Sequence, residues 1–525
     1  MEHLWALAVI ACVWALVATH PIRPHDFWWH LAIGREIVAT HHIPQVDTFS
    51  YTAPGAPYPS YSIYWLADVG LYLVYAASGP ALSVFVHALL ITLTYGFILV
   101  LCWRLSGSGR VAAACTLAAA ACGFENWNLR PQAIAFCLAA LYLVLIYGLR
   151  LRGESRPGRT THALPVALLA FPLLMLVWVN CHGSFPLGIV LLGIWFVDEL
   201  GRPGRRWLMP LVALALTAPA MLLNPQGIGI FAYLSAMSHN PVVRQLPEWA
   251  PASLATKDGI AYFVLLAASL VVMGLNWRRL TRWQVLCLMG FGGLAASTGR
   301  AIIWFGMVLA PVLAELVGGM LSKPGAGSVP SCHPEQSEGP CLAPQRRRRG
   351  EVLRFAQDDK RGAPNRVERL INGLLAAGLI ALVLVTLPWF KDRLPMSPQK
   401  AGLVSAETPA AATQYLLDHH LSPRLFGDMA YGSYLIWAAQ PQYQVFADPR
   451  VELYSQSLWN QYDELSSGSS GWELLLARHR VNTLMLDLKQ QAGLVAVASR
   501  SWQWREVYRD GHTVILVRNR RPSGE

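Results

Sequence analysis

Residues 25–36, His-Asp-Phe-Trp-Trp-His-Leu-Ala-Ile-Gly-Arg-Glu, follow closely on the first apolar segment of this 525-residue chain. That segment, residues 4–19, is apolar enough to enter a membrane. Trp28 and Trp29 are the residue type expected at the boundary between water and lipid. Asp26 at that depth can keep its charge, so the stretch predicts a membrane protein with an ionised carboxylate at the membrane surface.

The composition excludes a single soluble domain, because 54% of the residues are hydrophobic and only 14% are charged. A helix needs about 20 apolar residues to span a bilayer, and several segments of the chain approach or reach that length. We predict about eleven transmembrane helices, of which one or two short ones could be re-entrant or fused. These segments are 4–19, 79–103, 110–124, 131–149, 164–180, 185–199, 208–223, 259–276, 283–297, 301–321 and 370–390.

The net charge of +11 is unevenly distributed over the loops between these segments. If the N-terminus is cytoplasmic, the inner loops hold 22 Lys and Arg residues and the outer loops hold six. Cytoplasmic loops carry such an excess in membrane proteins. We therefore expect a cytoplasmic N-terminus and an outer C-terminal tail, and we attribute the basic charge to topology, not to nucleic-acid binding.

The chain divides into four predicted regions. They are a transmembrane domain at 1–321 with an outer first loop at 20–64, a disordered cytoplasmic insertion at 322–369, a last transmembrane helix at 370–390 and an extracytoplasmic α/β domain at 391–525. The insertion is rich in Pro, Gly, Ser and Arg and lacks apolar periodicity. Cys332, His333 and Cys341 within it are a weak zinc signal.

Within the tail, apolar spacing predicts helices at 408–420 and 470–480. Short β-rich runs predict strands at 432–439, 443–448, 481–488 and 512–519. Asp448 and Arg450 end one of these runs, where they either contact a ligand or form a structural salt bridge.

The first outer loop supplies two carboxylates, Asp26 and Asp47, the pair that a base-catalysed transfer would need. Asp26 and His30 are four residues apart, so on a helix they share one face. The sequence defines no cofactor, and a divalent metal ion held by Asp26 and His30 is the one that we consider.

Further polar residues fall at the outer ends of other predicted helices: Arg130, His182, Glu248 and Arg300. Each is weak evidence alone, and His182 also fits a structural role at a helix end. Polar groups near a membrane are costly and mark function by default. Because all four residues lie on the predicted outer side of the membrane, we expect them to line one outer cavity that binds a substrate.

The motifs D-x-W-W-H-L-x-x-G, F-S-Y-T, N-x-H-G, N-P-x-G, E-W and D-x-R resemble those of uncharacterised bacterial membrane proteins. Residues 1–320 resemble the GT-C class of polytopic glycosyltransferases, in particular bacterial members related to protein mannosyltransferases and lipopolysaccharide sugar transferases. The resemblance rests on Asp26 in the first outer loop, which matches the position of the family's catalytic carboxylate. Asp26 is not followed by Glu, as it is in the mannosyltransferases, so Asp47 is our candidate for the second acid.

The resemblance implies an all-α polytopic membrane domain in the bacterial inner membrane and a polyprenyl-phosphate-linked sugar donor. The acceptor would be an envelope glycan, lipid or protein on the outer face. Asp26 would act as the base, while Arg130, His182 and Arg300 would contact the departing lipid phosphate. The alternatives are a polytopic transporter, a non-catalytic envelope scaffold, or an enzyme similar to O-antigen ligases and polymerases.

Overall fold

The computed structural model describes residues 2–155, 166–203, 205–321, 366–397 and 400–519. Within them the protein is mostly helical, with one four-stranded sheet near the C-terminus. Residues 322–365 of the predicted insertion lie outside the described residues. Cys332, His333 and Cys341 are among them.

Each of the eleven predicted segments coincides with a helix of the structure. The helices of this part are α1 (Glu2–Ala18), α2 (Asp26–Thr40), α3 (Tyr61–Ser106), α4 (Gly109–Gly123), α5 (Gln132–Ser155), α6 (Ala170–Val179), α7 (Pro186–Glu199), α8 (Leu208–Ala220), α9 (Gly229–His239), α10 (Pro241–Gln245), α11 (Lys257–Leu275), α12 (Arg282–Ser297), α13 (Ile302–Leu321) and α14 (Arg366–Val385).

Five of the described helices are long and apolar enough to cross a membrane, namely α3, α5, α11, α13 and α14. Helices α1 and α8 are apolar but shorter, as is α6 with the turn that precedes it. The protein is therefore a multi-pass membrane protein, and the number of eleven spans stays a prediction. Helix α13 lies at the centre, packed against α3, α4, α11 and α12, whereas the apolar stretch of α14 is not buried within the protein.

Helix α2 lies against the first part of α3, which breaks at Ser78 and Gly79 just before Pro80. Gly79 has a φ of 61°, a conformation that glycine adopts without strain. The break coincides with the predicted start of a membrane segment at residue 79. The two helices approach closely at Gly34, where a Cβ atom would lie 2.1 Å from the carbonyl oxygen of Asp68.

Between residues 400 and 519 the C-terminal part has five α-helices and four strands: α15 (Ala410–Asp418), α16 (Met429–Ala438), α17 (Gln456–Ser467), α18 (Trp472–Arg478), α19 (Ala492–Ala498), β1 (Leu425–Gly427), β2 (Thr483–Asp487), β3 (Trp504–Arg509) and β4 (Thr513–Arg518). The strand order is β1-β2-β4-β3, with β1 parallel to β2 and the other two pairs antiparallel. The predicted helices at 408–420 and 470–480 and the strands at 481–488 and 512–519 are confirmed.

The strand predicted at 432–439 is wrong, because these residues belong to α16. The Asp428 side chain caps this helix by accepting a hydrogen bond from the Ala430 N–H. The predicted strand at 443–448 is an extended segment that forms only isolated bridges, from Val445 to Ser50 and from Gln444 to Arg424. It bridges to Ser50 of the first outer loop and to Arg424 just before β1, and it is not one of the four strands of the sheet.

The C-terminal part and the first outer loop share one hydrophobic core. Trp29, Phe49 and Tyr61 of the loop region pack with Leu435 and Tyr443 of the tail. The tail therefore lies directly over α2, which carries Asp26.

Candidate active site

Two cavities meet at Asp26. The larger, of about 470 Å³, lies between the end of α1, the start of α2 and residues 428–430 of the tail. The smaller, of about 90 Å³, is lined by the predicted site residues Asp26, His30, Arg130, His182, Glu248 and Arg300, together with Arg450 and Glu452. Asp26, Arg130 and Glu248 line both cavities and form part of the wall between them.

Four predicted site residues form a chain of alternating charges along this wall. The Asp26 carboxylate lies 3.2 Å from Arg130, Arg130 lies 3.5 Å from Glu248, and Glu248 lies 3.2 Å from Arg300. Their side chains are between 13% and 36% exposed. A charged ligand in either cavity can therefore replace one of the partners in this row of ion pairs.

Asp26 begins α2 and accepts a 3.4 Å hydrogen bond from the Trp29 indole. Burial raises the pKa of Asp26, but the positive charge of Arg130, with smaller contributions from His30 and His25, outweighs burial and places the pKa below its usual value. A lowered pKa favours the ionised form of Asp26, and its place at the membrane surface stays a prediction.

His30 is buried, and its Nδ1 atom lies 2.6 Å from the Asp68 carboxylate. Its ring stacks on Trp29 at 3.6 Å. Asp68 fixes which ring nitrogen carries the proton. No pattern of spacing connects Asp68 with His30, 38 residues earlier, so the pair was not predicted.

The divalent metal ion that we considered at Asp26 and His30 stays a hypothesis. Nδ1 of His30 is engaged by Asp68, which leaves Nε2 as the ring nitrogen that could bind a metal ion. Among the described residues no group of three or more His, Cys, Asp or Glu side chains could hold a metal ion.

His182 lies between α6 and α7, where its Nδ1 atom contacts the Ser184 hydroxyl at 2.9 Å. Burial, followed by the charges of Arg300 and Arg130, lowers the pKa of His182 well below its usual value. His182 is therefore neutral at pH 7 and can act on a ligand by hydrogen bonding, not by charge. It lines the small cavity and also fits the helix-end role that we considered.

The structure does not bring Asp47 together with Asp26. Asp47 is fully buried and accepts hydrogen bonds from the Ser50 N–H at 2.9 Å and from the Arg450 guanidinium at 2.7 Å. Arg450 is also held by Asp448 at 2.6 Å, and both side chains have no exposed surface. The Asp448–Arg450 pair is thus a buried salt bridge, although Arg450 also borders the small cavity.

Glu452 is a cavity residue that sequence reasoning missed, because it stands in no motif that we recognised. Its Oε1 atom accepts hydrogen bonds from the Tyr58 hydroxyl at 2.6 Å and from the Ser60 hydroxyl at 2.9 Å. Besides Asp26 and Glu248, the small cavity therefore has a third carboxylate, which comes from the C-terminal part of the chain, 426 positions after Asp26.

No protein-family model and no curated protein matches the sequence. Solved structures do match. The oligosaccharyltransferase of Archaeoglobus fulgidus in the apo form aligns at a TM-score of 0.56 and 12% identity over 98% of this chain and 74% of its own. The arabinofuranosyltransferase AftD from Mycobacteria aligns at a TM-score of 0.52 and 14% identity over 97% of this chain and 41% of its own. The chain has the GT-C fold.

This likeness confirms the fold that the resemblance predicted. A structure of the same oligosaccharyltransferase with Zn and sulfate aligns at a TM-score of 0.51 and 12% identity, over 98% of this chain and 73% of its own. ArnT from Cupriavidus metallidurans bound to undecaprenyl phosphate aligns at a TM-score of 0.48 and 16% identity over 97% of both chains. At such identities the GT-C fold is shared, while the reaction of this chain rests on its own site.

Proposed function

We propose that this protein is a membrane glycosyltransferase that moves a sugar from a polyprenyl-phosphate donor to an envelope glycan, lipid or protein acceptor. The observation that carries the proposal is the position of Asp26 between two cavities, beside Arg130 and within the GT-C fold. The reaction would take place on the outer face of the bacterial inner membrane, with the N-terminus in the cytoplasm.

A lipid donor is supported by an apolar groove of about 340 Å³ between α1, α4 and α11. Leu16, Leu117 and Phe124 line the groove, and Trp127 lines both the groove and the large cavity. An isoprenoid chain in the groove would thus place its phosphate in the large cavity. There Arg23 and Arg130 supply positive charge.

The proposed mechanism is a single displacement. Asp26 takes the proton of an acceptor hydroxyl as the oxygen forms a bond to the anomeric carbon. The bond between that carbon and the phosphate oxygen breaks, and its electron pair leaves with the polyprenyl phosphate. Arg130 and Arg23, which both line the large cavity, stabilise the negative charge on this leaving group.

The resting ion pair between Asp26 and Arg130 gives the donor a second role. A phosphate that binds Arg130 competes with the Asp26 carboxylate for the guanidinium. Since Arg130 lowers the pKa of Asp26, loss of this partner raises the pKa and makes Asp26 a better base. Donor binding would therefore activate the base.

The test is transfer of labelled sugar from polyprenyl phosphate by purified protein. Asp26→Asn keeps the shape of the side chain and removes its basicity, so turnover should fall by about 10²- to 10⁴-fold. The exposed Asp418→Asn in α15 is the matched control and should retain wild-type turnover. Transfer at the wild-type rate by Asp26→Asn would remove Asp26 from the mechanism.

A further inference from the structure

Glu452 lies on a short helical turn, Val451–Leu453, at the wall of the small cavity. This turn belongs to the C-terminal part of the chain, whereas the other carboxylates of the cavity, Asp26 and Glu248, belong to the outer loops of the helical part. The tail thus supplies its own acidic group to the site.

The position of the turn is fixed by the buried cluster of Asp47, Asp448 and Arg450. Arg450 precedes Glu452 by two residues and contacts Asp47 of the first outer loop at 2.7 Å and Asp448 at 2.6 Å. Both of its ion-pair partners are fully buried carboxylates. The positive charge of Arg450 is therefore already compensated and does not neutralise Glu452.

Glu452 itself is held by neutral donors. Tyr58 and Ser60 both donate to its Oε1 atom, and the Ser60 hydroxyl also lies 2.8 Å from the Tyr233 hydroxyl. Across the described part of the chain, Glu452 forms no ion pair with Arg or Lys, in contrast to Glu248, which contacts Arg130 and Arg300.

The negative charge of an ionised Glu452 therefore has no paired cation in the described part of the chain. Burial raises the pKa of the Glu452 carboxyl, and the nearby charge of Asp26 acts in the same direction. A half-buried carboxylate without a cation is costly, and such groups in clefts are candidates for ligand binding.

We propose that Glu452 is a binding residue of the active site, whose Oε2 atom accepts a hydrogen bond from a hydroxyl or ammonium group of the substrates. This inference rests on the proposed function and deepens it. The donor group belongs to the transferred sugar or to the acceptor, next to the hydroxyl that Asp26 deprotonates. The C-terminal part of the chain is thereby part of the active site and determines which substrate fits.

The test is Glu452→Gln, because the amide oxygen can still accept both hydrogen bonds from Tyr58 and Ser60. A purely structural role therefore predicts a silent substitution. Loss of a charged acceptor predicts a fall in kcat/KM of about 10- to 100-fold, expressed mainly in KM. Donor lipids extracted from cells fed labelled glucose and acceptor membranes from a deletion strain are titrated separately. The substrate whose KM rises is the one that Glu452 binds.

Two controls accompany this experiment. Glu506→Gln on the exposed edge of the sheet should transfer like the wild type. Binding of undecaprenyl phosphate alone should be the same for wild type and Glu452→Gln, because Glu452 lines only the small cavity. Unchanged kcat/KM in Glu452→Gln, or an equal loss of undecaprenyl phosphate binding, would overturn the proposal.

Failure of the proposed function gives a different result. If the wild type does not transfer sugar from polyprenyl phosphate, the donor assignment is wrong whatever Glu452 does. Mass spectrometry of envelope glycans and lipids from the deletion strain, complemented with each variant at equal membrane level, then decides about Glu452. Restoration by the wild type and by Glu506→Gln but not by Glu452→Gln supports the binding role, and full restoration by Glu452→Gln contradicts it.

Discussion

Two arginines of this protein are each held between two carboxylates, yet their surroundings differ. Arg450 and its partners Asp47 and Asp448 have no exposed surface, and their contacts are 2.7 Å and 2.6 Å. Arg130 contacts Asp26 and Glu248 at 3.2 Å and 3.5 Å, with 26% and 36% of those two carboxylate side chains exposed. The buried cluster of Asp47, Asp448 and Arg450, called the clamp below, thus holds its partners where water is excluded. The same residue types around Arg130 are partly exposed and can exchange partners with a ligand.

The largest expected effect is the loss of stability when Arg450 is removed from the clamp. Arg450→Ala leaves Asp47 and Asp448 buried without their cation, which typically costs about 3–5 kcal/mol. We expect a strongly lowered midpoint of thermal unfolding and a low level in the membrane, measured on the purified protein and on membranes. Arg509→Ala, which removes an exposed ion pair with Glu506, should change the midpoint little. Similar midpoints for the two variants would show that the clamp does not stabilise the protein.

The next effect separates the two aspartates of the first outer loop. Asp47→Asn removes one charge from the clamp but keeps the shape, so the free energy of unfolding should fall by about 1–3 kcal/mol. Transfer per folded molecule should stay near the wild-type value, opposite to the result expected for Asp26→Asn. A loss of turnover in Asp47→Asn without a loss of stability would restore Asp47 as the second acid.

A smaller effect is expected at Arg130. Arg130→Gln removes a charged donor to the lipid phosphate, and one charge-assisted hydrogen bond corresponds to about tenfold or more in affinity. Binding of undecaprenyl phosphate to the purified protein measures this change, with Arg509→Gln as the distant control. The wild-type affinity should also fall with salt, since the contact is partly exposed.

The smallest effect concerns pH. The pKa of Asp26 is lowered in the folded protein, so its ion pair stabilises the fold above the unfolded pKa of about 3.9. This contribution is lost as the pH falls through the folded pKa. It amounts to about 1 kcal/mol at most for a partly exposed pair. The stability difference between wild type and Arg130→Gln should therefore shrink below pH 4, and a difference that grows there would contradict the assignment.

Features that depend on neighbouring residues or on the order of the loops could be predicted from the sequence. Hydropathy located the apolar helices, and the predicted membrane-edge position of Asp26 predicted its charge. The clustering of Arg130, Glu248 and Arg300 was predicted from the loop order, which assigns all three to one side of the membrane. Each of these inferences needs only neighbouring residues or loop order.

Partners that are distant in sequence escaped prediction. Asp47 and Arg450 are 403 residues apart, and Tyr58 and Glu452 are 394 residues apart, so no spacing relates them. The run at 432–439 was predicted as a strand because short apolar runs suit strand and helix alike. Its cap by Asp428 and its contact with α2 decide for the helix.

The shared core of the first outer loop and the tail has a consequence for biosynthesis. Gln444 donates a hydrogen bond to the backbone of Thr48, 396 residues earlier in the chain. At about 5–20 residues per second, the ribosome needs roughly 20–80 s to supply the tail after the loop has been made. During that interval Trp29, Phe49 and Tyr61 lack their final neighbours and are exposed to chaperones and proteases. A chain cut short before the tail would therefore carry an incompletely packed loop and would be a target for degradation.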